Sequence, residues 1–221
     1  MEGVISIPSA RLYANREILI GTTFVPPGYF KRTSGYLKGE ITPNAGLNSF
    51  VSLNFFPFLD VMFRYSTELN VPISPKTKYF PDRMFAIKLR LIKESKMIPE
   101  IAVGLHDFSK SLGISSGENP IFTSQYVVLT KKIILSRFSV DLTLGKGFDS
   151  FLMESNEFKG LFGGVLFNLN NQKNLQFGTD LNDNLVTSGI KFTPLPNLTI
   201  TGNYHFKYSK FGWILVLRKE L

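Results

Sequence analysis

Between Asp60 and Phe108 apolar and polar residues alternate so regularly that few folds can accommodate the chain. Three runs carry the pattern. Val61, Phe63 and Tyr65 alternate with Asp60, Met62 and Arg64. Phe85, Ile87, Leu89 and Leu91 alternate with Ala86, Lys88 and Arg90, and Ile101, Val103 and Leu105 with Glu100, Ala102, Gly104 and His106. Successive side chains of a strand point to opposite faces, so each run predicts a strand with one apolar face and one face of charges and small residues. A soluble sandwich would bury the apolar face against a second sheet and leave the charges in water. A transmembrane barrel would turn the apolar face to lipid and the charges into its lumen.

The rest of the chain favours the barrel. Helical periodicity is nearly missing, and Gly, Pro, Asn and Thr punctuate the sequence as they do between strands. Glu17–Val25 places Ile18, Ile20, Thr22 and Phe24 on one face. Leu47, Ser49, Val51, Leu53 and Phe55 share another, with Phe50 an apolar exception on the polar side. Arg137–Gly145 opposes Phe138, Val140, Leu142 and Leu144 to Arg137, Ser139, Asp141 and Thr143. Shorter runs over 122–131, 161–168, 174–180, 186–192, 198–206 and 210–218 complete about twelve strands, each long enough to cross a bilayer when tilted.

The connections alternate as well. Long ones follow Phe24, Ser66, His106 and Gly145, and short ones lie at Pro57, Ser95, Lys132, Asn171 and Leu195; two further turns, near Asn182 and Ser209, are short where length is expected. Long loops on one side and short turns on the other are the pattern of an outer-membrane barrel. Aromatic residues gather near strand ends: Phe55, Phe56 and Phe58 at one rim, and Tyr65, Tyr79, Phe80, Phe108, Tyr204 and Tyr208 at the other. Such girdles suit the headgroup layer. Closure also removes the sheet edges that an open sheet this apolar would expose. The expected fold is therefore all-β, a transmembrane antiparallel β-barrel of about twelve strands over 17–221, after an extended lead-in over 1–16.

With no Cys, neither disulfides nor a thiolate metal site are available. The net charge of +8 raises the question of a polyanionic partner, but Lys and Arg occur as scattered singles and pairs, so nucleic acid is not expected. Lipopolysaccharide and acidic polysaccharide remain compatible with that charge. No apolar run is long enough for a membrane-spanning helix. Met1-Glu2-Gly3 opens without the basic and apolar regions of a signal peptide, so the barrel reading requires a mature or trimmed form.

Several short motifs resemble the YjbH family of bacterial outer-membrane β-barrel proteins. They are Pro8-Ser9-Ala10-Arg11, Arg64-Tyr65, Lys88-Leu89-Arg90-Leu91, Pro99 to Leu105, Asp107-Phe108 and Ser124-Gln125-Tyr126-Val127. The resemblance implies an envelope protein linked to production or export of exopolysaccharide. Family chains are generally several times longer, and the Gly-Thr-Gly type segment after the Asp-Phe pair is replaced here by Ser109 to Gly113. That contrast also admits a non-catalytic accessory subunit, docked on a larger outer-membrane barrel or on lipoproteins.

If the apolar face meets lipid, Asp60, Arg64, Lys88, Arg90, Glu100, His106, Arg137 and Asp141 face the lumen. They would form either a charged lining that selects anionic solutes or sugar chains, or a mixed-sign network that fills and stiffens a narrow barrel. The two His, His106 and His205, fall on the lumen face. Ser109 and Ser111 follow His106, yet nothing resembles a nucleophile elbow, so no enzyme is expected. Two isolated His make a poor metal site, and Gly145-Lys146-Gly147 lacks the rest of a phosphate loop. Asp180, Asn182 and Asp183 read as a hairpin rather than a calcium loop, so no cofactor or metal is expected.

Overall fold

The structure is a computed structural model that describes residues 3–31, 40–70, 82–108, 122–149, 155, 157–169 and 174–221. Twelve strands follow in order: β1 (Glu17–Val25), β2 (Gly46–Phe56), β3 (Leu59–Glu68), β4 (Asp82–Ile92), β5 (Glu100–His106) and β6 (Ser124–Ile134), then β7 (Phe138–Gly147), β8 (Gly160–Leu169), β9 (Leu175–Asn182), β10 (Leu185–Leu195), β11 (Leu198–His205) and β12 (Lys210–Glu220). Each pairs antiparallel with its sequence neighbours, and β1 closes on β12 from Glu17 opposite Glu220 to Phe24 opposite Trp213. The sheet is a closed barrel without an edge.

Connections 57–58, 93–99, 135–137, 170–174 and 196–197 lie at one end, the turn end. The strand ends Val25, Glu68, His106 and Gly147 lie at the other, the loop end, together with the two short connections at 183–184 and 206–209. Asp183 takes a left-handed φ of 54° in the two-residue hairpin between β9 and β10, as such tight turns favour.

Alternation sorts the side chains as the sequence predicts. Outward positions carry exposed Ile20, Leu53, Phe63, Phe85, Leu144, Phe177 and Leu217, while inward neighbours such as Asp60, Lys88, Glu100 and Thr130 are at most 3% exposed. The exterior is apolar, and the charged and hydroxyl side chains of the strands turn inward, the inverse of a soluble fold. Phe55, Phe56 and Phe58 form an exposed cluster at the turn-end rim, with ring centroids 5.3 and 5.6 Å apart. Tyr204 joins Phe206 and Phe211 at the loop-end rim. Tyr208, expected in that girdle, instead sits edge-on to Tyr29 against the lumen. Tyr79 and Phe80 lie outside the described residues.

Inward rings need room, and inward glycines supply it. A Cβ on Gly104 would lie 2.1 Å from Cζ of Tyr126, and one on Gly145 2.1 Å from Cζ of Phe162. These rings, with Phe158, Ala102, Val128 and Leu166, form a compact apolar cluster inside the barrel.

Candidate functional site in the lumen

The lead-in is not a tail beside the barrel. It runs inside it. Val4, Ile5, Ile7 and Ala10 join the apolar cluster of Ala102, Tyr126, Val128, Phe158, Phe162 and Leu166, so this stretch of chain packs against the β5, β6 and β8 wall. Ile5 lies against inward Gly178 and Gly189, where a Cβ would stand 3.1 to 3.2 Å from its side-chain carbons.

An extended segment surrounded by protein must find partners for its backbone, and the wall supplies them. The Asp180 carboxylate accepts the N–H groups of Ile5, Ser6 and Ile7 at 2.9, 2.7 and 3.4 Å, and the Ser6 hydroxyl at 2.7 Å. Thr130 accepts the Ala10 N–H at 2.9 Å. Lys88 donates to the carbonyls of Ser9 and Arg11 at 3.2 and 2.6 Å, Asn54 donates to Tyr13, and Lys191 donates to Gly3.

The side chain of Arg11 completes the hold at the turn end. Its guanidinium meets Glu94 at 2.6 Å, Glu100 at 3.0 Å and Asp141 at 2.9 Å. Burial opposes the charge there, but hydrogen bonds to Glu94 and Asp141 outweigh it and raise the guanidinium above its usual range. Arg90 shares Glu100, Lys131 shares Glu94, and Asn168 shares Asp141, so the carboxylates are bridged rather than stranded.

Most charges expected in the lumen are there, and several serve this hold. Lys88, Glu100 and Asp141 bind the lead-in directly; Arg90 acts through Glu100; Asp60 faces Lys88 in register and accepts from Ser52. Arg64 and His106 point inward nearer the loop end. Arg137 is a correction. It lies exposed in the 135–137 turn, because β6 runs on to Ile134 and the turn falls where the alternation had been extended.

Glu157, which the sequence pattern did not single out, organises the loop-end cluster. Its carboxylate meets Arg64 Nη1 at 2.9 Å and His106 Nδ1 at 2.7 Å. Burial pushes this carboxyl up, but Arg64 and His106 more than reverse the effect and bring it to about 2. His106 Nε2 faces the Tyr126 hydroxyl at 3.4 Å, and the Arg64 guanidinium lies 4.3 Å over the Phe122 ring. Ser109 and Ser111 lie outside the described residues. His205 stacks on Tyr29 at 4.2 Å and meets the Thr187 hydroxyl at 3.2 Å. Among the described residues no three His, Asp or Glu side chains converge as metal ligands.

Beside the lead-in the lumen keeps a cavity of about 820 Å³, lined from Tyr13 and Arg218 at the turn end to Tyr29 and Tyr208 at the loop end. Thr201, Asn203 and Ile214 lie between. Several of its lining residues carry buried polar atoms without a hydrogen-bond partner among the described residues: Oδ1 of Asn48, Asn182 and Asn203, Nε of Arg218, and Nε and Nη2 of Arg64. Buried polar atoms elsewhere in proteins are almost always satisfied, so this side of the lumen is built for water or for a polar guest.

A closed barrel with an apolar exterior and a polar lumen is a transmembrane β-barrel of the outer-membrane type. Within that class the relationship is specific. Residues 1–205 match the YjbH family, described as "Exopolysaccharide biosynthesis protein YbjH", and the chain belongs to that family. The match extends well past the motifs that end at Val127. No curated protein matches. Among solved structures, the outer membrane protease OmpT from Escherichia coli overlaps at 9% identity and a TM-score of 0.29, over 92% of this chain and 90% of that one. Ail, the attachment invasion locus protein of Yersinia pestis, overlaps at 16% identity and a TM-score of 0.20, over 93% and 100%. Overlaps this loose carry no information about chemistry.

Proposed function

We propose that the protein resides in the bacterial outer membrane and helps move exopolysaccharide or a related envelope polymer. The observation that carries this reading is the cavity beside the lead-in, whose lining residues reach from one barrel end to the other. Its lining mixes hydroxyl, amide and aromatic groups, which hydrogen-bond sugar hydroxyls and stack on sugar faces. With strands rising about 3.3 Å per residue at roughly 40° tilt, β11 spans about 20 Å, so the cavity averages about 40 Å² in section. That suits one extended chain and excludes a folded domain.

The role is non-catalytic. Supporting this, both His106 nitrogens face partners, Glu157 and Tyr126, and the residue is 5% exposed. The test is reconstitution of the folded chain in planar bilayers. A steady conductance that a soluble glycan interrupts is the expected result; current no greater than the bare membrane's refutes it.

A second reading is favoured by the lead-in, which occupies part of the lumen and commits Lys88, Glu100 and Asp141 to holding it. On that reading the chain is an accessory subunit, surrounded by lipid and lipopolysaccharide and docked on a larger barrel or on lipoproteins. A silent bilayer, with fixed-stoichiometry recovery beside a larger partner after gentle detergent extraction, would establish it.

A further inference from the structure

We infer that the passage takes an acidic polysaccharide, and that Arg64 is the residue that reads its anionic group. The inference rests on the reading of the lumen as a glycan passage and names the class of glycan. Arg64 projects inward from β3 and is 9% exposed. Its Nη1 is committed to Glu157, and Phe122 covers one face of the guanidinium. The Nε and Nη2 atoms, which form the side-on edge of the planar fork, are buried and carry no hydrogen bond from the described residues. Arg64 lines the cavity, and a buried Arg edge of this kind is matched by two oxygens of one carboxylate or phosphate group.

The surroundings reinforce the sign. Among the described residues lining the cavity, five are cations (Lys31, Arg64, Lys159, Lys191 and Arg218) and two are carboxylates (Glu157 and Asp183), one of them already paired to Arg64. Burial and the nearby Arg64 charge both lower the Lys31 ammonium below its usual range, although Glu157 opposes them. An anion seated beside Arg64 would relieve that repulsion. Asn48, Asn182 and Asn203 also line this cavity and carry buried amide oxygens without a partner among the described residues, groups able to accept from sugar hydroxyls once a guest is seated. Anion at the fork and hydroxyls at the amides together describe a sugar residue that bears an acid.

The test uses the full chain in planar bilayers, with a short oligogalacturonate and a neutral malto-oligosaccharide of equal length as probes, and inorganic phosphate as a third. Oligogalacturonate is expected to block the current at a concentration at least tenfold below the neutral oligomer, with phosphate alone blocking weakly. Arg64→Lys keeps a cation beside Glu157 but loses the planar fork, and should weaken the acidic block tenfold or more while shifting the neutral block by much less, so that the acidic preference collapses. Equal block by acidic and neutral oligomers overturns the inference and leaves the passage standing. So does unchanged acidic block in a folded Arg64→Lys variant. If phosphate matches oligogalacturonate, the site reads a free anion and the glycan assignment fails. Absence of block by any probe overturns inference and passage together. The comparison of probes on the unmutated protein needs no variant to fold.

Discussion

Replacing Arg11 by Met should release the turn end of the lead-in while keeping most of the aliphatic stem that packs there. Arg11 holds three carboxylates, at 2.6, 2.9 and 3.0 Å, with 22% of its side chain exposed. Removing one partner of a fully buried ion pair costs roughly 3–5 kcal/mol. Here the partial exposure and the remaining contacts of Arg90, Lys131 and Asn168 reduce that to about 2–3 kcal/mol. If the loss falls on local opening of the lead-in, the open state becomes about 30 to 150 times more populated. The chain has no Cys, so Ser9→Cys places a single thiol on a lead-in position that is 4% exposed. Thiol labelling of Ser9→Cys should accelerate by that factor when Arg11→Met is added, with the barrel still folded by its heat-dependent gel shift. Labelling rates equal within twofold would refute the idea that the clasp holds the lead-in.

Asp180→Asn should act on the same segment from the other end. It loses the charge behind three N–H bonds and is expected to accelerate Ser9→Cys labelling by roughly tenfold or more. Gly104→Ala forces a methyl onto the Tyr126 ring and should destabilise the barrel by about 1–3 kcal/mol in denaturant titration, whereas Gly202→Ala, with nothing within 4 Å, should stay within about 0.5 kcal/mol. Glu157 gives a pH dependence of known sign. Its folded carboxyl lies near 2, below its unfolded value, so its stabilisation is complete above about pH 5 and is lost as the pH falls towards 2. Over that window the unmutated protein should lose on the order of 2–3 kcal/mol more than Glu157→Gln, and parallel curves would remove the ion pair from the account.

Strand order, strand faces and the inward placement of Asp60, Lys88 and Glu100 were legible because a period of two is a local property. Arg137 failed for the same reason: alternation continues in phase through a turn, and nothing local marks where β6 stops. The destination of the lead-in was not legible. Gly3 to Asn15 reads as extended chain, and its partners lie as far as 188 residues away in Lys191. A faint signal existed in Gly178 and Gly189, neighbouring inward glycines whose missing side chains make room for Ile5. Glu157 gave none, since it sits in the aperiodic connection 148–159 and is defined only by Arg64 and His106 across the lumen.

The mixed signs in the lumen follow from what an extended segment needs. Without a neighbouring strand to pair with, the lead-in presents N–H and C=O groups that require opposite partners. Asp180 and Thr130 accept from its N–H groups, while Lys88, Lys191 and Asn54 donate to its carbonyls. Acids and bases on the wall thus stand where sheet partners would, and neither sign alone could serve. Among the described residues an unpartnered atom, Asn54 Oδ1, lies beside the lead-in, and more of them belong to residues lining the cavity on the opposite side. Asn48, Asn182, Asn203, Arg64 and Arg218 there retain unpartnered polar atoms around the cavity, beside an excess of cations. A network evolved only to fill and stiffen the barrel would have no reason to leave these groups unsatisfied, because each costs about 1–3 kcal/mol unless water or a guest meets it. On the proposed reading the lumen is therefore divided: one side holds the chain's own segment, and the other is left for a guest.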